Sequence, residues 1–212
     1  MIEQQTSILK GLANICSLFW GPEKRICQEL LEGHYLRSLT ELEDVNADLK
    51  DYLEKVQNLL GKYPDSSALF EDLEIQYVRL FISRRGGIKT PLYQSCYISE
   101  NAPLMGEPAR IMTEKLRAAG LNLDATLNEP PDHIAIQGEY LYFLLEKGWK
   151  DSDVQKLNEA GDFARETMLP WVEILRERLE EDEEGRFYEI ITGMFCYLLQ
   201  VIIEHTLPLS NP

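Results

Sequence analysis

The sequence is poor in the residues that most often carry chemistry. Its 212 residues include three histidines, His34, His133 and His205, and none of them has the His-x-x-x-His or Glu-x-x-His spacing that gathers ligands on one helix face. A zinc or di-iron centre built from local motifs is thereby excluded, since such centres need several ligands at fixed helical spacing; only ligands distant in sequence could converge. Phosphate loops, dinucleotide fingerprints and nucleophile elbows are missing as well, and Gly86-Gly87 with Lys89 and Thr90 lacks both the spacing and the preceding strand of a phosphate loop. The four cysteines, Cys16, Cys27, Cys96 and Cys196, form no Cys-x-x-Cys pair. They read as small buried apolar side chains rather than as disulfide or redox partners. Positive charge is scarce: 21 Lys and Arg stand against 36 Asp and Glu, a formal net charge of −15. Such a field repels nucleic-acid phosphates and anionic lipid, and draws in cationic partners. The most apolar stretch, Ile190 to Ile203, is interrupted by Thr192, Gly193 and Gln200, and falls short of the roughly 20 residues of a membrane span. The opening MIEQQTSILK has no basic region followed by an apolar one, so a signal peptide is not expected. These absences give the expectation of a soluble, cytoplasmic protein with no nucleic-acid partner and no stable membrane insertion.

What is present is helical periodicity on an ordinary globular composition, 44% apolar and 27% charged,. Ile8, Leu12, Ile15 and Phe19 step by three or four, as one buried helix face does. Gly21-Pro22 breaks that helix, and Pro22 suits the first turn of a second one through Leu30 and Leu31. A long helix follows from Leu42 to Leu60, closed by Gly61 and Pro64, and Asp65-Ser66-Ser67 offers the cap of the next, which continues to about Ile82. From Arg84 to about Gly106 the period is lost. Irregular stretches of this length within a compact domain are often functional. Helices resume from Glu107 to Gly120, Asp132 to Gly148, Ser152 to Met168, Pro170 to about Glu181, and Phe187 to His205, with an acidic run Glu180–Glu184 before the last. No period-2 run with hairpin turns appears. The expectation is an all-α protein of eight to ten helices in a single domain over residues 1–212.

Two clusters stand out. Glu129-Pro130-Pro131-Asp132-His133 reads either as the first turn of a helix, where prolines cost no hydrogen bond and Asp132 favours the dipole, or as an Asp–His pair facing a pocket. Tyr77, Leu80 and Phe81 end one helix, and Pro91, Tyr93, Ser95 and Tyr97 follow in the irregular stretch. Such aromatic side chains fit either loop packing or adaptable peptide contacts.

Together these segments resemble the TorD-like family of molybdoenzyme maturation chaperones. Tyr77-Val78-Arg79-Leu80-Phe81 is similar to that family's aromatic-x-x-Leu-Phe helix end. Pro91-Leu92-Tyr93-Gln94-Ser95-Cys96-Tyr97 resembles its Pro-x-Tyr-x-Ser-x-Tyr loop, and Glu129-Pro130-Pro131-Asp132-His133-Ile134 its Glu-Pro-x-Asp-His motif. Leu169-Pro170-Trp171 resembles a turn near its C-terminal helices. The likeness runs from about Phe70 to Trp171. It departs from the pattern a few residues before the Pro-Trp pair, where the family often has a histidine and Thr167 or a neighbour stands here, and at Gly138-Glu139-Tyr140, where many members read Leu-Glu-Phe.

The resemblance implies a non-enzymatic helical protein that binds the twin-arginine leader or the apo form of a molybdoenzyme catalytic subunit during cofactor insertion and proofreading. It further implies no cofactor beyond weak guanine-nucleotide binding, and a monomer or helix-swapped dimer. On this reading Tyr77, Leu80, Phe81, Tyr93 and Tyr97 form a client groove with Pro91, Ser95, Glu129 and Trp171 around it. Asp132 meets a client arginine or makes a structural hydrogen bond, and His133 orients the loop or touches the client. The rival readings are a helical adaptor or scaffold, and a hydrolase using Asp132 and His133 as an acid–base pair.

Overall fold

The computed structural model describes residues 2–42, 47–83, 87–98, 104–122, 129–182 and 185–206. The described chain is built of helices: α1 (Ile2–Leu18), α2 (Lys24–Leu31), α3 (Arg37–Thr40), α4 (Ala47–Leu60), α5 (Ser66–Tyr77), α6 (Glu107–Ala118), α7 (Ile134–Asp151), α8 (Val154–Asp162), α9 (Leu169–Glu180) and α10 (Arg186–Thr206). A π turn, Val78–Ile82, extends α5, and a second, Phe163–Met168, joins α8 to α9. Among the described residues there is no strand, only an isolated antiparallel bridge between Tyr93 and His133. The fold is all-α, as its periodicity requires.

The apolar stripe of α1, Ile8, Leu12 and Ile15, is fully buried, and one hydrophobic cluster runs from Ile8 to Ile202. Its centre is α10, which packs against α1, α4, α8 and α9. Among the described residues α10 is long and apolar enough to cross a membrane, yet 83% of its most apolar window is buried inside the protein. A helix apolar all round is what a position in the middle of a bundle demands. On one side α1 lies along α7, and α7 along α8. Close approach there rests on Gly138, where a Cβ would stand 2.0 Å from the Cys16 sulfur.

Several boundaries differ from the periodic reading. Pro22 lies before α2 rather than in its first turn, because Glu23 is the N-cap. The Leu42–Leu60 segment contains only one long helix, α4; Leu42 itself follows α3, and Val45 lies outside the described residues. Asp65 does cap α5, its carboxylate accepting from the backbone N–H groups of Ser67 and Ala68 at 2.9 Å. The expected break before Pro170 is absent: the backbone stays helical through Phe163–Met168, and the Leu169 N–H reaches back five residues to the Ala164 carbonyl. A π turn absorbs the donor that Pro170 lacks without ending the helix. Helix α7 begins at Ile134 with His133 as N-cap, so Pro130, Pro131 and Asp132 precede it. The reason lies in the loop that crosses them.

Candidate functional site

The described part of the irregular stretch, residues 87–98 and 104–106, is fastened across the start of α7. The Leu92 carbonyl accepts from the Ile134 N–H at 2.9 Å, and the Gln94 N–H donates to the Asp132 carbonyl at 3.1 Å. This pairing holds His133 extended between the turn at Pro131-Asp132 and the first residue of α7, and it is why the helix starts two residues late. Asp132 is wholly buried, and its Oδ2 accepts from the Ser95 N–H at 2.7 Å and the Ser95 hydroxyl at 2.5 Å. The Ser95 Oγ in turn accepts from the N–H of Gly106, the N-cap of α6, at 3.1 Å. One carboxylate and one hydroxyl therefore tie the loop to the entrances of both α7 and α6.

His133 closes the outer side. Its Nδ1 accepts from the Ala135 N–H at 3.2 Å, its ring stacks on Trp20 with centroids 4.7 Å apart, and Tyr93 meets its edge at 5.4 Å. Burial pulls its pKa down to about 4, which keeps the imidazole neutral and able to accept the cap bond. Tyr93 donates to Glu129 at 2.5 Å, and burial together with that carboxylate pushes the phenol pKa up. On the inner side Trp171 donates to the Gln137 side-chain oxygen at 3.0 Å, and the Gln137 amide donates to Gln94 at 2.6 Å. Tyr97 donates to the Pro91 carbonyl at 2.7 Å, lies 5.3 Å from the Trp171 ring, and carries the Arg178 guanidinium 4.5 Å above it.

The structure thus brings Pro91, Tyr93, Ser95, Tyr97, Glu129, Asp132, His133 and Trp171 into one assembly, but as a clamp. Ser95, Asp132, His133 and Trp171 are buried and present no surface to a client; Asp132 bonds through Oδ2, while its buried Oδ1 has no hydrogen-bond partner among the described residues. Leu80 and Phe81 require the same correction. Both are core residues, Phe81 standing edge-on to Tyr188 at 5.0 Å and to Tyr77 at 5.2 Å. Tyr77, half-buried, donates to the Phe19 carbonyl at 3.1 Å. What remains accessible is the rim: Tyr77, Pro91, Tyr93, Tyr97 and Glu129. Asp132 is bonded to Ser95 and His133 to Ala135, and among the described residues no hydrogen bond joins the two side chains. Among the described residues no group of three or more His, Cys, Asp or Glu is placed to hold a metal ion.

Two concavities beside the clamp carry no motif. Between α6, the loop and the π turn after α8 lies a cavity of about 260 Å³, lined by Gln94, Ile98, Ile111, Met112 and Phe163 among others. It adjoins one of about 420 Å³ that includes Gln155, Asn158, Glu159 and Asp162, and Lys115, Phe163, Glu166 and Thr167 line both. The other concavity, about 230 Å³, lies between α1 and α7 and is lined by Cys16, Trp20, Gly138, Glu139 and Tyr142 among others. Thr167, at or beside one departure from the family pattern, lines the first, and Gly138-Glu139, in the other, lines the second. Of the apolar residues in and beside the irregular stretch, Ile98 lines the first cavity and is 61% exposed, while Leu104 and Met105, 56% and 63% exposed, lie outside its lining.

A family profile described as nitrate reductase delta subunit matches residues 36–177, which include every motif segment above. The chain belongs to the nitrate reductase delta subunit family. This is the TorD-like family that the motifs resemble. Among curated members, the Chaperone protein TorD of Vibrio parahaemolyticus is 24% identical over 185 residues, covering 82% of this chain and 86% of that protein. The protein of the same name from Vibrio cholerae is 28% identical over 170 residues, covering 78% and 74%. A solved structure of a candidate redox enzyme maturation protein from Archaeoglobus fulgidus aligns over 95% of this chain and 93% of that one, with 22% identity and a TM-score of 0.49. The relatives of this delta-subunit family member are thus named as chaperones, not as enzymes.

Proposed function

We propose that this protein is a cytoplasmic chaperone that holds the catalytic subunit of a molybdoenzyme by its twin-arginine leader until the cofactor is in place. Family membership supports the chaperone class. The observation that carries leader binding is the exposed apolar surface of Ile98, Leu104, Met105 and Ile111, anchored beside the clamp on a chain of net charge −15. An apolar surface on a strongly acidic protein suits a segment that is itself apolar and basic. The rim residues Tyr77, Pro91, Tyr93, Tyr97 and Glu129 would border that segment, while Asp132, Ser95, His133 and Trp171 keep the loop in position.

Magnitudes favour this division. Burying three or four leader side chains contributes about 1.5–3 kcal/mol each, and ordering a flexible leader takes back about 2–5 kcal/mol. Only near the favourable end of both ranges does the remainder reach the roughly −8 kcal/mol of micromolar binding. Apolar contact thus sets affinity, and the arginines set specificity and encounter rate.

The test is calorimetric titration of the protein with a twin-arginine leader and its twin-lysine version at two salt concentrations. The expected result is micromolar binding that weakens with lysine and with salt. Failure to bind either leader or the unfinished catalytic subunit would overturn the proposal in favour of a helical adaptor.

A further inference from the structure

The paired cavities at α6 form one trough with an apolar end and an acidic end. Ile98, Ile111 and Met112 line the first, and Glu159, Asp162 and Glu166 the second. The surrounding carboxylates are not equivalent. Asp162 is paired with Arg165, and Glu107, at the apolar end, with Arg110 at 3.3 Å. Glu159 accepts from the Tyr140 hydroxyl at 2.6 Å and faces the Lys115 ammonium at 4.0 Å, the outer edge of an ion pair. Glu166, which borders both cavities, has no hydrogen-bond or ion-pair partner among the described residues. The Lys115 ammonium lies 5.6 Å from the centre of the Phe163 ring, and its side chain is about one-third exposed. The trough therefore holds one loosely engaged cation of its own, one carboxylate without a partner among the described residues, and the Phe163 ring, 2% exposed beneath the Lys115 ammonium.

We propose that this trough reads a basic side chain lying next to an apolar one in the client, and that Lys115 is a resident cation which the client displaces. The inference rests on the leader reading above and gives it a place. An incoming arginine can span Glu159 and Glu166 and lie on Phe163, while its apolar neighbour enters the Ile98–Ile111–Met112 end. A planar guanidinium can fork between two carboxylates and stack on a ring together, which an ammonium cannot, so arginine is favoured over lysine. Lys115 lowers the affinity for every cationic segment by occupying the same field, and has no effect on a segment without charge.

The experiment titrates wild type, Glu166→Gln and Lys115→Met with three leaders that differ only in the arginine pair: Arg-Arg, Lys-Lys and Gln-Gln. The thermal melt of each variant serves as a folding control. Glu166→Gln should weaken the Arg-Arg leader by about three- to tenfold, and Lys115→Met should tighten it by a similar factor. Neither should move the Gln-Gln leader. Ile111→Asp should weaken all three. If wild type discriminates between the leaders and neither charge variant changes that discrimination, the arginines are read elsewhere; the trough is wrong and the leader reading stands. Equal binding of all three leaders by wild type also overturns the trough but leaves a leader-binding chaperone. Binding of none overturns both.

Discussion

Asp132 and Ser95 meet where the loop, the α6 entrance and the α7 entrance converge, and both of their hydrogen bonds lie out of water. Asp132→Ala leaves the Ser95 N–H and hydroxyl buried without an acceptor, so denaturant titration should show a loss of about 3 kcal/mol; Ser95→Ala should cost about 1–2 kcal/mol. On the proposed leader binding, affinity should fall only as far as the loop loosens, because both side chains are buried. His133 makes a pH prediction. Its folded pKa, about 4, lies below the ordinary 6.5, so between these values the unfolded chain binds the extra proton. Stability is therefore complete above pH 6.5 and is lost as pH falls toward 4. The contribution is about 2 kcal/mol between pH 7 and pH 5. His133→Gln should flatten the stability profile over that interval, and an unchanged slope would count against a buried neutral imidazole.

At the scale of elements, α1 and α7 approach closely because Gly138 has no side chain to meet Cys16. Gly138→Ala should destabilise by about 1–3 kcal/mol, the cost of forcing extra volume into a packed contact. Cys16→Ala in the same chain should recover part of that loss. A double-mutant cycle by chemical denaturation reads the coupling directly, and strict additivity would show that the two helices adjust independently. The π turn before Pro170 has the same kind of local logic. It lets α8 and α9 run on as one rod past a proline, and so carries Phe163, Glu166 and Thr167 to the trough and Trp171 to the clamp.

At the scale of the whole molecule, the charge of −15 acts with opposite signs on folding and on binding. Self-repulsion destabilises the compact state at low ionic strength. Raising salt from about 10 to 150 mM shortens the screening length to roughly 8 Å. It should therefore raise Tm, each kcal/mol of stability gained being worth about 2–4 °C for a chain of this size. Over the same range association with a basic leader should slow. A Tm that falls with salt would mean that the local pairs, such as Arg79 with Asp182 at 2.8 Å, outweigh the net repulsion.

The sequence by itself determined the helical class, the buried stripe of α1, the Asp65 cap and the loss of period after Ile82, because periodicity and capping are local properties that a few residues fix. It also determined the family, through Tyr77–Phe81, Pro91–Tyr97 and Glu129–Ile134 taken in order. It left two alternatives open for Asp132, a client arginine or a structural bond, and assigned Leu80 and Phe81 to a groove when they belong to the core. Only the tertiary structure shows that Asp132 bonds Ser95, 37 residues away in sequence, and that Leu80 and Phe81 are buried, Phe81 against Tyr188 on a distant helix. The trough was out of reach for the same reason. Glu159, Glu166 and Lys115 are ordinary charges along the chain, and they come together only when α6, α8 and the π turn after it bring them to one trough beside Phe163.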